Sequence, residues 1–289
     1  MNQGIGATGG GRPGASTEKS PVPGAMRRAA PRSIGRVHWR GFLTLYRREI
    51  WRFFKEWLET IVAAGFSTVV YLAVFAFALG PDRSTPEGQA ILDFILPGLV
   101  LFAILNRAAE TTVFSIVFDK LEGMFADLLM APVTPSELTA AYAVAGATAG
   151  IVTGVPVAAV AALFFGLEFQ APLLAVLFTA GGALMLSLMG ILVGIASTKW
   201  DHVGAFFGFF LVPLTFVSGL FAPVERLPEW FAAIVRFNPI FYVIDGFRAG
   251  CIGVHSAPVM LSAAVVAGTC AVLWIVCDRL LASGWRTRN

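Results

Sequence analysis

The sequence predicts an all-α integral membrane protein, and three observations carry that expectation. Of its 289 residues 57% are apolar and only 13% charged, with a mean hydropathy of +0.75, whereas a soluble globule needs about 25% charged residues to cover its surface. The apolar residues fall in blocks of roughly 20, the length that crosses about 30 Å of hydrocarbon, and short charged stretches separate the blocks. Eleven of the 21 lysines and arginines precede Trp57, so the positive-inside rule places that end in the cytoplasm.

Residues 1–35 are rich in Gly, Pro, Ser, Thr and Arg without periodic apolar positions and read as a disordered cytoplasmic tail. The tail has no apolar run of the kind a cleavable signal peptide needs, so the first span is expected to direct insertion. Residues 36–57 turn amphipathic: Trp39, Leu43, Tyr46, Ile50, Phe54 and Trp57 step by three or four, with Arg40, Arg47, Arg48, Arg52 and Lys55 between them. This pattern predicts an interface helix along the inner leaflet, its arginines toward anionic headgroups, a cytoplasmic partner, or both.

Residues 58–289 are read as the six-helix transmembrane domain. Residues 61–80 supply the first span and 81–89 a short outer loop. Residues 94–118 return as the second span, which carries Arg107 and Glu110. These two lie three apart on one helical face, at a depth where a charge costs roughly 2.5 to 3.5 kcal/mol unless paired or facing water. Residues 138–167, 173–198 and 203–221 form spans three to five, with an outer turn at 168–172 and an inner one at 199–202. Gly146, Gly150 and Gly154, then Gly190 and Gly194, have the four-residue spacing of close helix packing, with cargo contact as the competing role. Residues 257–277 form the sixth span, and Arg279, Arg286 and Arg288 return the C-terminus to the cytoplasm.

Two stretches interrupt the pattern. Residues 119–135 form a charged break in which Leu121, Phe125, Leu128 and Leu129 recur at helical spacing while Asp119, Glu122 and Asp127 fall off that stripe. A short acidic amphipathic helix is expected, suited to docking a soluble partner; the competing reading is a solvated loop on the headgroups. Pro132 and Pro135 end it, and Thr134, Pro135 and Glu137 supply an N-cap, a proline at N1 and a capping-box acid for the next helix. Residues 222–250 hold Glu225, Arg226, Glu229, Arg236, Asp245 and Arg248, too many charges for a lipid-facing span. Pro228 opens a helix that Asn238-Pro239 breaks after about ten residues, or about 15 Å, and 240–247 forms a second short piece. The expectation is an external helical hairpin that dips into the bilayer and leaves again.

In order and spacing these residues resemble the membrane subunits of ABC-2 type exporters. The resemblance is carried by Leu96-Pro97-Gly98, Glu122-Gly123, the run from Leu128 to Val133, the run from Ser218 to Pro223 followed by Leu227-Pro228, the run from Asn238 to Tyr242, and Gly246-Phe247-Arg248. It implies a cytoplasmic coupling helix between spans two and three, here Asp119, Lys120, Leu121, Glu122, Gly123, Met124 and Phe125. It also implies an external re-entrant gate between spans five and six, here Gly219, Pro223, Pro228, Asn238, Pro239, Tyr242 and Arg248. Two permease copies, a homodimer in the simplest case, and two separate ATPase subunits in a bacterial inner membrane follow from the same likeness. Spans one, two and five would line the path, which makes Phe66, Tyr71, Phe75, Arg107, Glu110, Phe206 and Phe210 candidates for contact with an amphipathic cargo.

No cofactor is expected on this chain. A P-loop requires G-x-x-x-x-G-K-[ST]; the nearest approach, within residues 14–20, has Glu18 where the second glycine must stand. ATP and Mg²⁺ are therefore assigned to the partner ATPase. Three cysteines and three isolated histidines match no metal-ligand spacing. Lipids and protein subunits are the expected partners, and nucleic acid is not. Two competing classes remain open. An intramembrane serine protease needs G-x-S-G and a histidine on a neighbouring helix, whereas Ser218 follows Phe216-Val217 and His255 precedes span six. An ATP-independent channel or carrier is the other.

Overall fold

In a computed structural model, residues 39–79, 91–131 and 133–284 are described, and they are all-helical, with no strand among them. The tail 1–35, the outer loop 81–89, Pro132, and Arg286 and Arg288 lie outside the described residues. Helix α1 spans Trp39–Lys55; after a π-helical turn at Leu58–Val62, α2 spans Ala63–Leu79. Helices α3 (Ile91–Leu121), α4 (Met124–Met130), α5 (Pro135–Phe165) and α6 (Pro172–Ala196) follow. Next come α7 (Trp200–Val217), α8 (Glu229–Phe237), α9 (Pro239–Ile252) and α10 (Val259–Ser283).

Five of these, α3, α5, α6, α7 and α10, are long and apolar enough to cross a membrane. The segment expected as the first span contributes 17 α-helical residues in α2, just short of that length. Helix α7 begins at Trp200, where the sequence suggested a turn, and its middle, Phe206–Leu211, is π-helical. The start of α5 folds as local chemistry requires: Thr134 Oγ1 accepts from the Glu137 amide at 3.3 Å, the Thr134 amide donates to Glu137 Oε2 at 3.0 Å, and Pro135 occupies the first turn.

Helix α3 is the axis of the packing, with α5 and α6 laid against it. The glycine spacing explains how closely they approach. A Cβ on Gly150 would meet the Ile104 carbonyl at 2.6 Å, and one on Gly146 would meet the Ala108 carbonyl at 2.9 Å and collide with Thr112 and Ser187. On α6, a Cβ added to Gly190 would meet the Ala109 carbonyl at 2.8 Å and one added to Gly194 the Ile116 Cβ at 2.9 Å. These glycines let backbones meet, which in lipid is a main source of helix association. Gly150→Val should therefore cost about 1–3 kcal/mol through overpacking. Gly65→Val, where a Cβ has nothing within 4 Å, should cost little. Thermal unfolding of the two variants in one detergent checks the contrast.

Helix α1 buries Leu45, Glu49 and Phe53 and leaves Trp39, Leu43, Phe54 and Trp57 of its apolar stripe exposed, and one element differs from the sequence reading. The second leg of the 222–250 region is longer than expected, 14 residues reaching Ile252, and nearly all of it is buried against α6, α10 and α3.

Candidate functional site

Glu49 is an acid inside a row of cations, and the fold explains it. Helix α1 lies against the last turns of α3 and the first turns of α5, and five polar side chains converge around Asp119, which is fully buried. Arg52 Nη2 donates to Asp119 Oδ1 at 2.7 Å, and Arg48 Nη2 pairs with Asp119 Oδ2. Tyr142 Oη donates to the same Oδ2 at 2.8 Å. Arg48 also binds Glu49 Oε1 through Nε at 2.9 Å and Nη2 at 2.7 Å, while Ser115 Oγ donates to Glu49 Oε2 and accepts from Arg52 Nη1 at 2.7 Å. Two guanidinium groups and two carboxylates thus cancel in charge and satisfy one another's hydrogen-bonding groups, the condition under which a buried ionic cluster is tolerated. Burial works against the Arg48 charge, but the neighbouring carboxylates of Glu49 and Asp119 outweigh it and hold the guanidinium above its ordinary pKa.

The residues expected to form one acidic helix from Asp119 onward are divided between two elements. Asp119 and Lys120 belong to α3, and Lys120 Nζ caps α6 by donating to the Ile195 and Ser197 carbonyls at 2.8 and 2.7 Å. Gly123, with φ +76°, turns the chain into the separate seven-residue helix α4. The proposed stripe does not act as one: Phe125 is buried against Leu45, Leu138 and Tyr142, while Leu121 is half exposed. Glu122 and Met124 are exposed. Between α1 and α4 runs a groove of about 520 Å³, with Arg40, Thr44 and Arg48 on one side and Leu128 and Val133 on the other.

A second cavity, of about 480 Å³, lies between α1, α3 and the start of α7. Arg107, Thr111, Phe114 and Ser115 line it from α3, Glu49, Arg52 and Phe53 from α1, Glu56 from the turn after α1, and Trp200 from α7. Arg107 Nη1 lies 3.3 Å from Glu110 Oε2 on the same helix face. Phe114 stands 5.4 Å from Trp200 and stacks on Phe207 at 6.4 Å between centroids. Phe206 and Phe210 stack on each other at 5.6 Å along α7. Phe66 and Tyr71 are exposed on α2, away from this lining, and the Phe75 side chain lies outside the described residues.

At the other end of α3, the proposed gate residues hold α7, α8 and α9 together. Asn238 Oδ1 accepts from the Ile240 amide at 3.0 Å, capping α9, whose first residue is Pro239. Its Nδ2 donates to Ser218 Oγ at 2.6 Å and to the Leu214 carbonyl at 2.9 Å. The Ser218 hydroxyl donates to Leu214 in turn, so it serves as a bracket and faces no histidine base in these contacts. Arg248, 2% exposed, donates to the Phe94 carbonyl at 3.2 Å and the Gly219 carbonyl at 3.0 Å and lies 3.6 Å over the Phe94 ring. Pro223 precedes a 3-10 turn, Pro228 precedes α8, and Tyr242 Oη donates to the Arg236 carbonyl. Sequence reasoning singled out Arg248 and Asn238 but missed Glu49, Ser115 and Tyr142, whose signal was a lone acid among cations.

Residues 40–252 match the family model described as ABC-2 type transporter. The chain is 26% identical over 253 residues to "Inner membrane transport permease YadH" of Escherichia coli (strain K12), covering 88% of this chain and 99% of that one. It is 24% identical to "Nodulation protein J" of Rhizobium leguminosarum bv. viciae, over 86% of this chain and 95% of the relative. It is 26% identical to "Daunorubicin resistance ABC transporter permease protein DrrB1" of Streptomyces coeruleorubidus, over 82% and 84%.

Proposed function

Because the chain belongs to the ABC-2 type transporter family, we propose that it is the membrane permease subunit of an ATP-driven exporter. Two copies form the translocation path, and separate ATPase subunits, which hold ATP and Mg²⁺, drive it. In this reading α2, with the π-helical turn before it, is the first of six spans, α8 and α9 form the external re-entrant hairpin, and both termini are cytoplasmic in a bacterial inner membrane. The name of the daunorubicin-resistance relative favours an amphipathic cargo, whether drug, glycolipid or polysaccharide.

The observation that carries the reading is the ionic cluster at Asp119. It fastens α1 to α3 within one turn of the Gly123 bend, so a force applied to α4 or to the groove between α1 and α4 reaches α3, α5 and α1 together. Reconstitution tests it: the chain with its ATPase subunits should export cargo only with ATP, and a lysine-to-alanine change in the ATPase P-loop should abolish export. Undiminished ATP-independent transport by the purified chain alone would establish the channel or carrier class instead.

The orientation has its own expected result. In a cysteine-free background, Glu168→Cys and Glu229→Cys should react with an impermeant thiol reagent from outside the cell, and Glu122→Cys and Lys199→Cys should react only after permeabilisation. Outside labelling at position 122 would invert the topology.

A further inference from the structure

The cavity between α1, α3 and α7 combines charged side chains with aromatic surface. Along α3, Ser115 and Arg107 are about 12 Å apart at 1.5 Å per residue, so the cavity extends from the level of α1 well into the apolar zone. Its volume of about 480 Å³ suits a drug-sized molecule.

The charges at this wall differ in what already engages them. Arg52 binds Asp119 and Ser115, Glu49 binds Arg48, and Arg107 pairs with Glu110. Glu56 is exposed at the turn between α1 and the π-helical turn, and its carboxylate has no ion pair among the described residues. The arginines at or just behind the wall are matched by Glu49, Asp119 and Glu110, so Glu56 leaves the mouth of the cavity with a net negative charge. In the same lining Phe114 and Trp200 are both partly exposed and present ring surface, which covers apolar groups and attracts cations.

Resting on the exporter reading above, we propose that this cavity binds an amphipathic monocation. Its cationic group lies by Glu56, its apolar body lies on Phe114 and Trp200, and an acceptor on that body receives a hydrogen bond from Thr111 or Arg107. An amphiphile with an anionic group meets Glu56 at the mouth and is disfavoured.

Two probes of matched shape and opposite charge, tetraphenylphosphonium and tetraphenylborate, test this with the full chain in phosphatidylcholine nanodiscs and no ATPase present. The cation should bind saturably above the level of empty nanodiscs, and tetraphenylborate, measured in a separate sample, should not. Glu56→Gln should weaken cation binding about fivefold, as loss of one partly exposed charge contact does, and Glu56→Asp should retain most of it. Trp200→Ala should also weaken binding while thermal unfolding stays unchanged. Equal binding of the two probes, or cation binding indifferent to Glu56→Gln, overturns the proposal. ATP-driven export without cation binding would refute this site and leave the exporter reading intact, whereas cation binding without ATP-driven export would do the reverse.

Discussion

Asp119→Leu should destabilise the protein by about 3 kcal/mol, because it leaves the Arg48 and Arg52 guanidinium groups and the Tyr142 hydroxyl without their shared acceptor. The figure sits at the low end of the range for broken buried pairs, since both arginine side chains are about a third exposed and water recovers part of their solvation. The first element to loosen should be α1, which the cluster ties to α3. Trypsin should then cut after Arg48 or Arg52 at a concentration that spares the unmodified chain, and the detergent melting temperature should fall. Asp127→Leu removes an exposed acid of α4 and should change neither readout. Equal protease resistance of the Asp119 variant and the wild type would mean that α1 is held by apolar contacts alone.

What the sequence made legible here follows from the range of the interactions. The capping box at Thr134 and Glu137 spans three residues, and the glycine rows of α5 and α6 repeat every four, so both could be read locally. The buried face of α1 could not. In lipid, both the protein-facing and the solvent-facing sides of a helix can be apolar, so periodicity alone does not say which side packs. The apolar stripe of Trp39, Leu43, Phe54 and Trp57 stays outward, while the face carrying Glu49 turns in to meet Ser115, a partner 66 residues away that no local pattern reveals. The long buried helix α9 was underestimated for the same reason. Its charges, Asp245 and Arg248, argue against a lipid-facing span, and in the buried helix Asp245 accepts from the Ser256 and Ala257 amides while Arg248 donates to two backbone carbonyls.

On the exporter reading proposed above, Gly123→Pro should abolish transport and stimulation of the ATPase subunits while leaving insertion and self-association as in the wild type. Gly123 has φ +76°, proline is confined near −65°, and its amide donates to the Lys120 carbonyl at 3.2 Å. The substitution therefore forbids the bend that joins α3 to α4 and removes a hydrogen bond that closes it. A Cβ at this position would meet nothing within 4 Å, so an alanine there tests the backbone conformation without a clash against α1 or α5. Gly123→Ala isolates the backbone effect, because the left-handed conformation costs an ordinary residue about 1–2 kcal/mol, and it should fall between the wild type and the proline variant. The mechanical reason is local: redirecting α4 pulls the buried Phe125 out of the apolar cluster that also holds Leu45, Leu138 and Tyr142, which loosens α4 from the helices around Asp119. ATPase-linked transport at the wild-type rate by the proline variant would reduce residues 122–130 to a linker and move the coupling surface to α1.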